Sequence, residues 1–147
     1  MAEQNNQILL ETKDLQKHFP IKDFFGRKKQ AVKAVDGITF QIRKGETFGL
    51  VGESGCGKST LGRTLIRMYE PTGGQIIFDG EDITKLEGAK LQPYHKRMQI
   101  IFQDPYSALD PHHNVEEIIR EPMSLYTNAS KSDIDEQIVE LLKKVGM

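Results

Sequence analysis

The stretch Gly52-Glu-Ser-Gly-Cys-Gly-Lys-Ser-Thr60 matches the pattern Gly-x-x-x-x-Gly-Lys-[Ser/Thr] of a phosphate-binding loop. Residues 46–51, which precede it, predict a short buried strand, and residues 61–68, which follow it, predict a helix. A strand, this loop and a helix in succession form the context in which the pattern binds phosphate. We therefore predict an α/β fold that binds a nucleotide through this loop.

The glycines of the loop are expected to let the backbone curl around an anion. Gly52, Gly55 and Gly57 can adopt positive φ angles, so successive N–H groups can point inward at a phosphate. The positive end of the helix that follows faces the same anion. Both features predict a phosphate site at the start of that helix.

The side chains of the loop have separate expected roles. Lys58 is a flexible cation that can reach the β- and γ-phosphates, Ser59 can offer its hydroxyl to Mg²⁺, and Thr60 can donate to an α-phosphate oxygen. The remaining loop residues, expected to line the phosphates through their backbone, are Glu53, Ser54 and Cys56.

Composition narrows the functional class. The net charge is −1 with acidic and basic residues interspersed, so the chain lacks the basic field typical of nucleic-acid binding. No apolar run approaches the ~18 residues of a membrane span, and the N-terminus does not resemble a signal peptide. Cys56 is the only cysteine, which excludes an internal disulfide and fits a reducing compartment. We expect a cytoplasmic protein with no nucleic-acid partner.

The first part of the chain predicts a succession of short strands. Strands are expected over residues 8–12, 37–42 and 75–80, with an inserted loop or hairpin extension at about 20–31. Helical turns are expected over residues 82–97, and residues 98–102 predict a buried parallel strand. Residues 1–102 are therefore predicted to form the nucleotide-binding core with a β subdomain.

The last part of the chain predicts helices. Asn114 can cap one helix, and Ser130 or Ser132 can cap a second that ends near Gly146. The apolar face of the second helix is expected to consist of Ile134, Ile138, Leu141, Leu142 and Val145. Residues 103–147 are predicted to form a loop and the start of a helical subdomain.

Several motifs together carry a family resemblance. Lys44-Gly45-Glu46, the loop at 52–60, the turn at 71–74 and the segment Ile100-Ile-Phe-Gln-Asp-Pro105 resemble the nucleotide-binding subunit of ATP-binding-cassette (ABC) transporters. The segment 103–111, with the insertion, is similar to the oligopeptide and dipeptide importer ATPases. The implied fold is a P-loop NTPase core with an antiparallel β subdomain and an incomplete helical subdomain, and the implied cofactors are ATP and Mg²⁺.

The resemblance also assigns roles to two residues outside the phosphate loop. Gln103 matches the glutamine that senses Mg²⁺ and the attacking water and couples nucleotide state to the membrane subunit, so a catalytic and metal-binding role is expected. Phe19 falls where the family places the aromatic that stacks on adenine, although Phe24 or Phe25 could compete for that role.

The resemblance implies a transport ATPase, of which other parts do not occur in this sequence. These are the signature motif, the apolar strand ending in Asp-Glu, known as Walker B, and the switch histidine. We therefore expect an N-terminal half, cut within the helical subdomain, that binds nucleotide weakly and hydrolyses it negligibly.

The implied partners are transmembrane permease subunits, a second ATPase subunit and, indirectly, a solute-binding protein, with the ATPase on the inner face of the membrane. Alternatives are an importer of nickel, glutathione or another solute, or a non-transport ABC ATPase. A P-loop kinase or GTPase would require a guanine-specifying motif or an arginine-rich lid, and neither occurs in the sequence.

Overall fold

A computed structural model describes residues 7–22 and 28–147 of the chain. It divides into two compact units, Met1–Gln99 and Ile100–Met147. The phosphate loop belongs to the first unit and Gln103 to the second. The boundary that we predicted after residue 102 stays a prediction.

The first unit is built on a four-stranded antiparallel sheet. Its strands are β1 (Ile8–Lys22), β2 (Lys28–Arg43), β3 (Gly73–Phe78) and β4 (Glu81–Asp82), in the order β2-β1-β3-β4. Helix α1 (Lys58–Leu65) follows the phosphate loop, and helix α2 (Gln92–Arg97) follows a 3₁₀ turn at Gly88–Lys90. The predicted antiparallel β subdomain is confirmed.

The hairpin of β1 and β2 is longer than the sequence predicted. Pairing continues past the predicted strand ends to Pro20 opposite Ala31 and Ile21 opposite Gln30, with several register shifts along its length. The insertion therefore extends the hairpin, as one of our two alternatives had it, while its residues 23–27 lie outside the described part of the chain. Irregular pairing increases the local twist of such a ribbon.

The core of the first unit lies between the sheet and α1. Leu15 and Ile76 are fully buried at its centre, and Leu61 of α1 packs onto the same cluster. Thr12 is also buried, but its hydroxyl donates to the Ile38 carbonyl at 3.1 Å and accepts from the Phe40 amide, so burial leaves it satisfied. Packing of α1 on the sheet fixes where the phosphate loop lies.

Two predicted strands are wrong. Residues 46–51 and 98–102 are not strands, and within the described ranges neither segment pairs with a strand. Their apolar side chains are correspondingly open, with Val51 93% and Ile101 92% exposed. A parallel strand exists only through pairing with a neighbour, which a hydrophobic pattern cannot supply by itself.

The second unit contains a 3₁₀ turn at Tyr106–Ala108, helix α3 (Val115–Tyr126) and helix α4 (Lys131–Lys144). Capping boxes start both helices, with Asn114 at one and Ser130 at the other. Arg120 of α3 pairs with Asp135 of α4. The predicted apolar face of α4 is partly correct: Ile134 and Ile138 are buried, whereas its Leu141 and Val145 are exposed.

Across residues 7–22 and 28–147, no helix is both long enough and apolar enough to cross a bilayer.

Candidate nucleotide-binding site

The phosphate loop is pressed against strand β2. Gly57 is the N-cap of α1 and has φ 98°, a left-handed conformation that favours glycine. A Cβ atom built on Gly57 would lie 2.1 Å from the carbonyl oxygen of Ala34. Only glycine therefore fits at the point where loop, helix and strand meet.

The other two glycines of the loop serve different purposes. Gly55 has φ 81° and open space around it, so it supplies backbone conformation alone. Our expectation of a positive φ at Gly52 is wrong, because the positive-φ residues include Gly55 and Gly57 but not Gly52. Gly52 is instead confined by space, since a Cβ there would meet the Cys56 sulfur at 2.7 Å.

Lys58 folds back over the loop that precedes it. Its Nζ donates to the carbonyl oxygens of Gly52 at 2.7 Å and Glu53 at 2.5 Å, and lies 3.5 Å from the Cys56 sulfur. A single ammonium group therefore crosses the loop and holds its curvature. The same group places a positive charge at the loop, where it can attract an anion.

The start of α1 is chemically different from the starts of α3 and α4. Those helices have side-chain caps that accept hydrogen bonds from the first-turn amides. The N-cap of α1 is Gly57, which has no side chain to accept them. First-turn amides without an internal acceptor are the groups that bind phosphate at helix N-termini. Ser59 is exposed at this end and Thr60 is half-buried.

A cleft of about 490 Å³ opens between the phosphate loop and the hairpin. This volume is typical of small-molecule sites. The loop side and the hairpin side contribute Phe19, Val32, Lys33, Ala34, Gly55, Cys56, Gly57, Lys58, Ser59 and Thr60. Glu53 and Ser54 are exposed at the preceding turn.

Phe19 lies on the hairpin side of this cleft. It pairs with Val32 across the two strands, and directly opposed residues of an antiparallel pair project to the same face. The structure thus brings Phe19 and the phosphate loop to one cavity. The competing candidates Phe24 and Phe25 lie outside the described residues.

Sequence reasoning missed the wall formed by Val32, Lys33 and Ala34. Cross-strand pairing with the Phe19 region could have indicated these residues, but only with the hairpin register in hand. A short polar cluster joins this strand to β1, where Asp36 of β2 contacts Lys33 of β2 at 3.1 Å and His18 of β1 at 2.8 Å. Hydrogen bonds from Lys33 and then His18 lower the pKa of Asp36, so its carboxylate stays charged.

Gln103 lies in the second unit, in the bend that precedes the 3₁₀ turn, and its side chain is exposed. Its predicted roles in metal binding and catalysis stay predictions.

Comparison with known proteins identifies the family of this chain. The model of the ABC transporter family matches residues 35–147, from the second half of β2 through α4. The chain belongs to the ABC transporter family. The resemblance predicted from the motifs is therefore confirmed.

Relatives of the chain are named as ATP-binding proteins of peptide transport. The chain is 47% identical over its whole length to the oligopeptide transport ATP-binding protein AppF of Bacillus subtilis, of which it covers 45%. It is 40% identical to the dipeptide transport ATP-binding protein DppF of Escherichia coli, over 96% of this chain and 42% of that protein. The chain thus spans less than half the length of these family members.

Solved structures of ABC cassettes share the fold. A dimeric cassette in a post-hydrolysis state bound to ADP and Pi gives a TM-score of 0.73 at 22% identity, over 92% of this chain and 56% of that one. The cbiO1 protein of Clostridium perfringens gives 0.67 at 22% identity, over 96% of this chain and 51% of that one. The predicted incomplete P-loop NTPase fold is confirmed.

Proposed function

We propose that this chain is the ATP-binding part of an ABC importer ATPase for oligopeptides or dipeptides. The observation that carries the proposal is the cleft, where a glycine-capped helix start and Lys58 face Phe19 across one cavity. This arrangement provides a phosphate cradle and an aromatic surface within reach of one small molecule. It suits a nucleotide better than an inorganic anion, since an anion would have no use for the aromatic side.

The donor set fits the phosphates of ATP. Gly55 and Gly57 give the loop its curvature, the first-turn amides of α1 point into it, and Lys58 provides the charge. We propose that Lys58 contacts the β- and γ-phosphates, that Thr60 donates to the α-phosphate, and that Phe19 stacks on adenine.

The metal site is proposed on chemistry alone. Ser59 has an exposed hydroxyl beside the loop, and a hydroxyl oxygen is the ligand that this position supplies to Mg²⁺ in phosphate loops. The bound Mg-ATP would supply the transferable γ-phosphoryl group. Gln103 is proposed to sense Mg²⁺ and the attacking water, on the strength of its motif.

The named relatives support the remaining parts of the proposal. These are peptide import, the permease partners, the second ATPase subunit and the indirect contact with a solute-binding protein. We also propose, from the same relatives, that the protein lies at the cytoplasmic face of the membrane.

A chimera tests binding and transport together. This chain would replace the matching part of AppF, and ATP affinity, Mg²⁺-dependent hydrolysis and oligopeptide uptake would be measured in B. subtilis lacking AppF. We expect all three to be present in the chimera. When it carries Lys58→Ala, ATP affinity should fall by at least about tenfold, and hydrolysis and uptake should be lost.

The outcomes separate the parts of the proposal. A chimera that hydrolyses ATP but does not support uptake would contradict peptide transport and leave ATP binding in place. A folded chimera without ATP affinity would overturn the nucleotide site itself. For the 147-residue chain alone, we expect ATP binding with negligible turnover.

A further inference from the structure

Phe19 has an aromatic neighbour, Tyr69, in the segment that follows helix α1. The rings of Phe19 and Tyr69 pack edge to face, with centroids 5.6 Å apart and planes at 89°. Tyr69 lies just after the C-terminal end of α1, the end opposite to the one that follows the phosphate loop. Both rings are half-buried, and of the two only Phe19 lines the cleft, so Tyr69 supports Phe19 from outside it.

Tyr69 is itself held from two sides. Arg63, within α1, donates from Nη1 to the Tyr69 hydroxyl at 3.1 Å, and its carbonyl accepts from the Tyr69 amide at 3.2 Å. The Lys17 ammonium lies over both rings, 5.0 Å from the Phe19 centroid and 5.8 Å from that of Tyr69. Lys17 is anchored in turn by the carbonyl of Glu70 at 2.8 Å.

We infer that Tyr69 is a positioning residue for base recognition, and that helix α1 acts on the nucleotide from both ends. Its first turn faces the phosphates, and its last turn orients Phe19 through Arg63 and Tyr69. The inference rests on the proposed function, since it requires that Phe19 stacks on a base.

The geometry explains what such positioning achieves. Lys17 covers one face of the Phe19 ring, so a base must stack on the other face. A ring held by an edge contact and a cation has lost its rotational freedom before ligand arrives, and less entropy is lost on binding. Only ligands that carry a base gain affinity from this positioning, because only they can stack on Phe19.

The test compares a ligand with a base and a ligand without one. ATP and inorganic tripolyphosphate are titrated by calorimetry against the 147-residue chain and its Tyr69→Leu variant. We expect ATP affinity to fall about three- to tenfold, the range of one aromatic edge contact, while tripolyphosphate affinity changes less than twofold.

A matched control exists in the same unit. Tyr94 makes a similar edge-to-face contact with Phe78, at 6.2 Å and 81°, and Phe78, unlike Phe19, is not among the described residues that line the cleft. Tyr94→Leu removes an equivalent contact, so the ratio of ATP to tripolyphosphate affinity should stay as in the unaltered chain.

Two further variants guard against a folding defect in Tyr69→Leu. Tyr69→Phe keeps the ring and should retain most of the ATP affinity. Arg63→Met keeps the aliphatic stem but releases the Tyr69 hydroxyl, and should lower ATP affinity selectively by a smaller factor.

A double variant decides whether Tyr69 acts through Phe19. In a Phe19→Ala background, Tyr69→Leu should have no further effect on ATP affinity. An equal loss in both backgrounds, or an equal loss for both ligands, would overturn the inference while the proposed ATP site stands. Absence of ATP binding by the unaltered chain would overturn the proposed function, and this inference with it.

Discussion

The backbones of Gly57 and Ala34 approach so closely that a Cβ atom on Gly57 would lie 2.1 Å from the Ala34 carbonyl oxygen. The contact joins the N-cap of the phosphate helix to the middle of β2. Because the same strand carries Val32 and Lys33 on the opposite wall, the width of the cleft depends on this contact.

Gly57→Ala should therefore be severe. The new methyl group would clash with the backbone of Ala34, and the φ of 98° is itself strained for alanine. We therefore expect the free energy of unfolding to fall by about 2–4 kcal/mol and ATP binding to become unmeasurable. Denaturant unfolding and calorimetric titration measure the two effects.

Gly55→Ala is the matched control for that variant. It imposes similar backbone strain, with φ 81°, but its Cβ would meet nothing within 4 Å. The free energy of unfolding should therefore fall by only about 1 kcal/mol. Equal losses for the two variants would show that strain, and not contact with Ala34, makes Gly57 necessary.

Lys58→Ala should lower ATP affinity by at least about 10- to 100-fold, the usual range for hydrogen bonds to a charged group. It also removes the ammonium that bridges the Gly52 and Glu53 carbonyls. Lys90→Ala removes the same charge from an exposed site in the same unit and should leave affinity unchanged. Retained affinity in Lys58→Ala would contradict the phosphate-loop assignment.

Stability in acid should depend on Asp79. Hydrogen bonds from Arg97 and then Lys44 lower the pKa of this carboxyl, at 2.5 and 2.9 Å. A lowered pKa in the folded state gives stability that is present above the unfolded value, near 3.9, and is lost as pH falls through the folded value.

Asp79→Asn tests this dependence and suits the site, because asparagine tolerates the positive φ of 52° found there. Its urea midpoint should lie below that of the unaltered chain at pH 7, and the difference should shrink below about pH 4. A difference that is constant from pH 7 to pH 2.5 would exclude the ion pairs as its cause.

The helix caps of the second unit give a prediction independent of nucleotide. Asn114→Ala and Ser130→Ala each remove one side of a capping box, and each should destabilise this unit by about 1 kcal/mol. Ser132, the alternative cap in the sequence, lies within α4, so Ser132→Ala should be nearly neutral. Circular dichroism during thermal unfolding measures all three.

The parts of the fold that local sequence determines were predicted correctly. The existence of a helix after the phosphate loop, and the helix starts at Asn114 and Ser130, depend on contacts within a few residues, so their motifs suffice; α1 nevertheless spans Lys58–Leu65 and not the predicted residues 61–68. Residues 46–51 and 98–102 failed because strand structure depends on a partner that hydrophobicity does not specify.

The candidate site divides in the same way. Its loop residues could be named from one motif, whereas Ala34 and Tyr69 acquire their importance only from contacts across the fold. Neither Ala34 nor Tyr69 lies in a sequence motif that would have pointed to its role. Phe19 was named through family resemblance, and its place at the cleft depends on the register of a hairpin with several shifts.

The long hairpin also has a consequence for the order of folding. The residues that the hairpin contributes to the cleft are Phe19, Val32, Lys33 and Ala34, and they belong to two strands that pair directly with each other. A hairpin between near neighbours closes quickly, whereas a helix of 8 residues such as α1 is marginal in water until it packs on the sheet. We expect amide hydrogens of β1 and β2 to gain protection from exchange early in refolding, before those of α1, so that the surface for the base exists before the cradle for the phosphates.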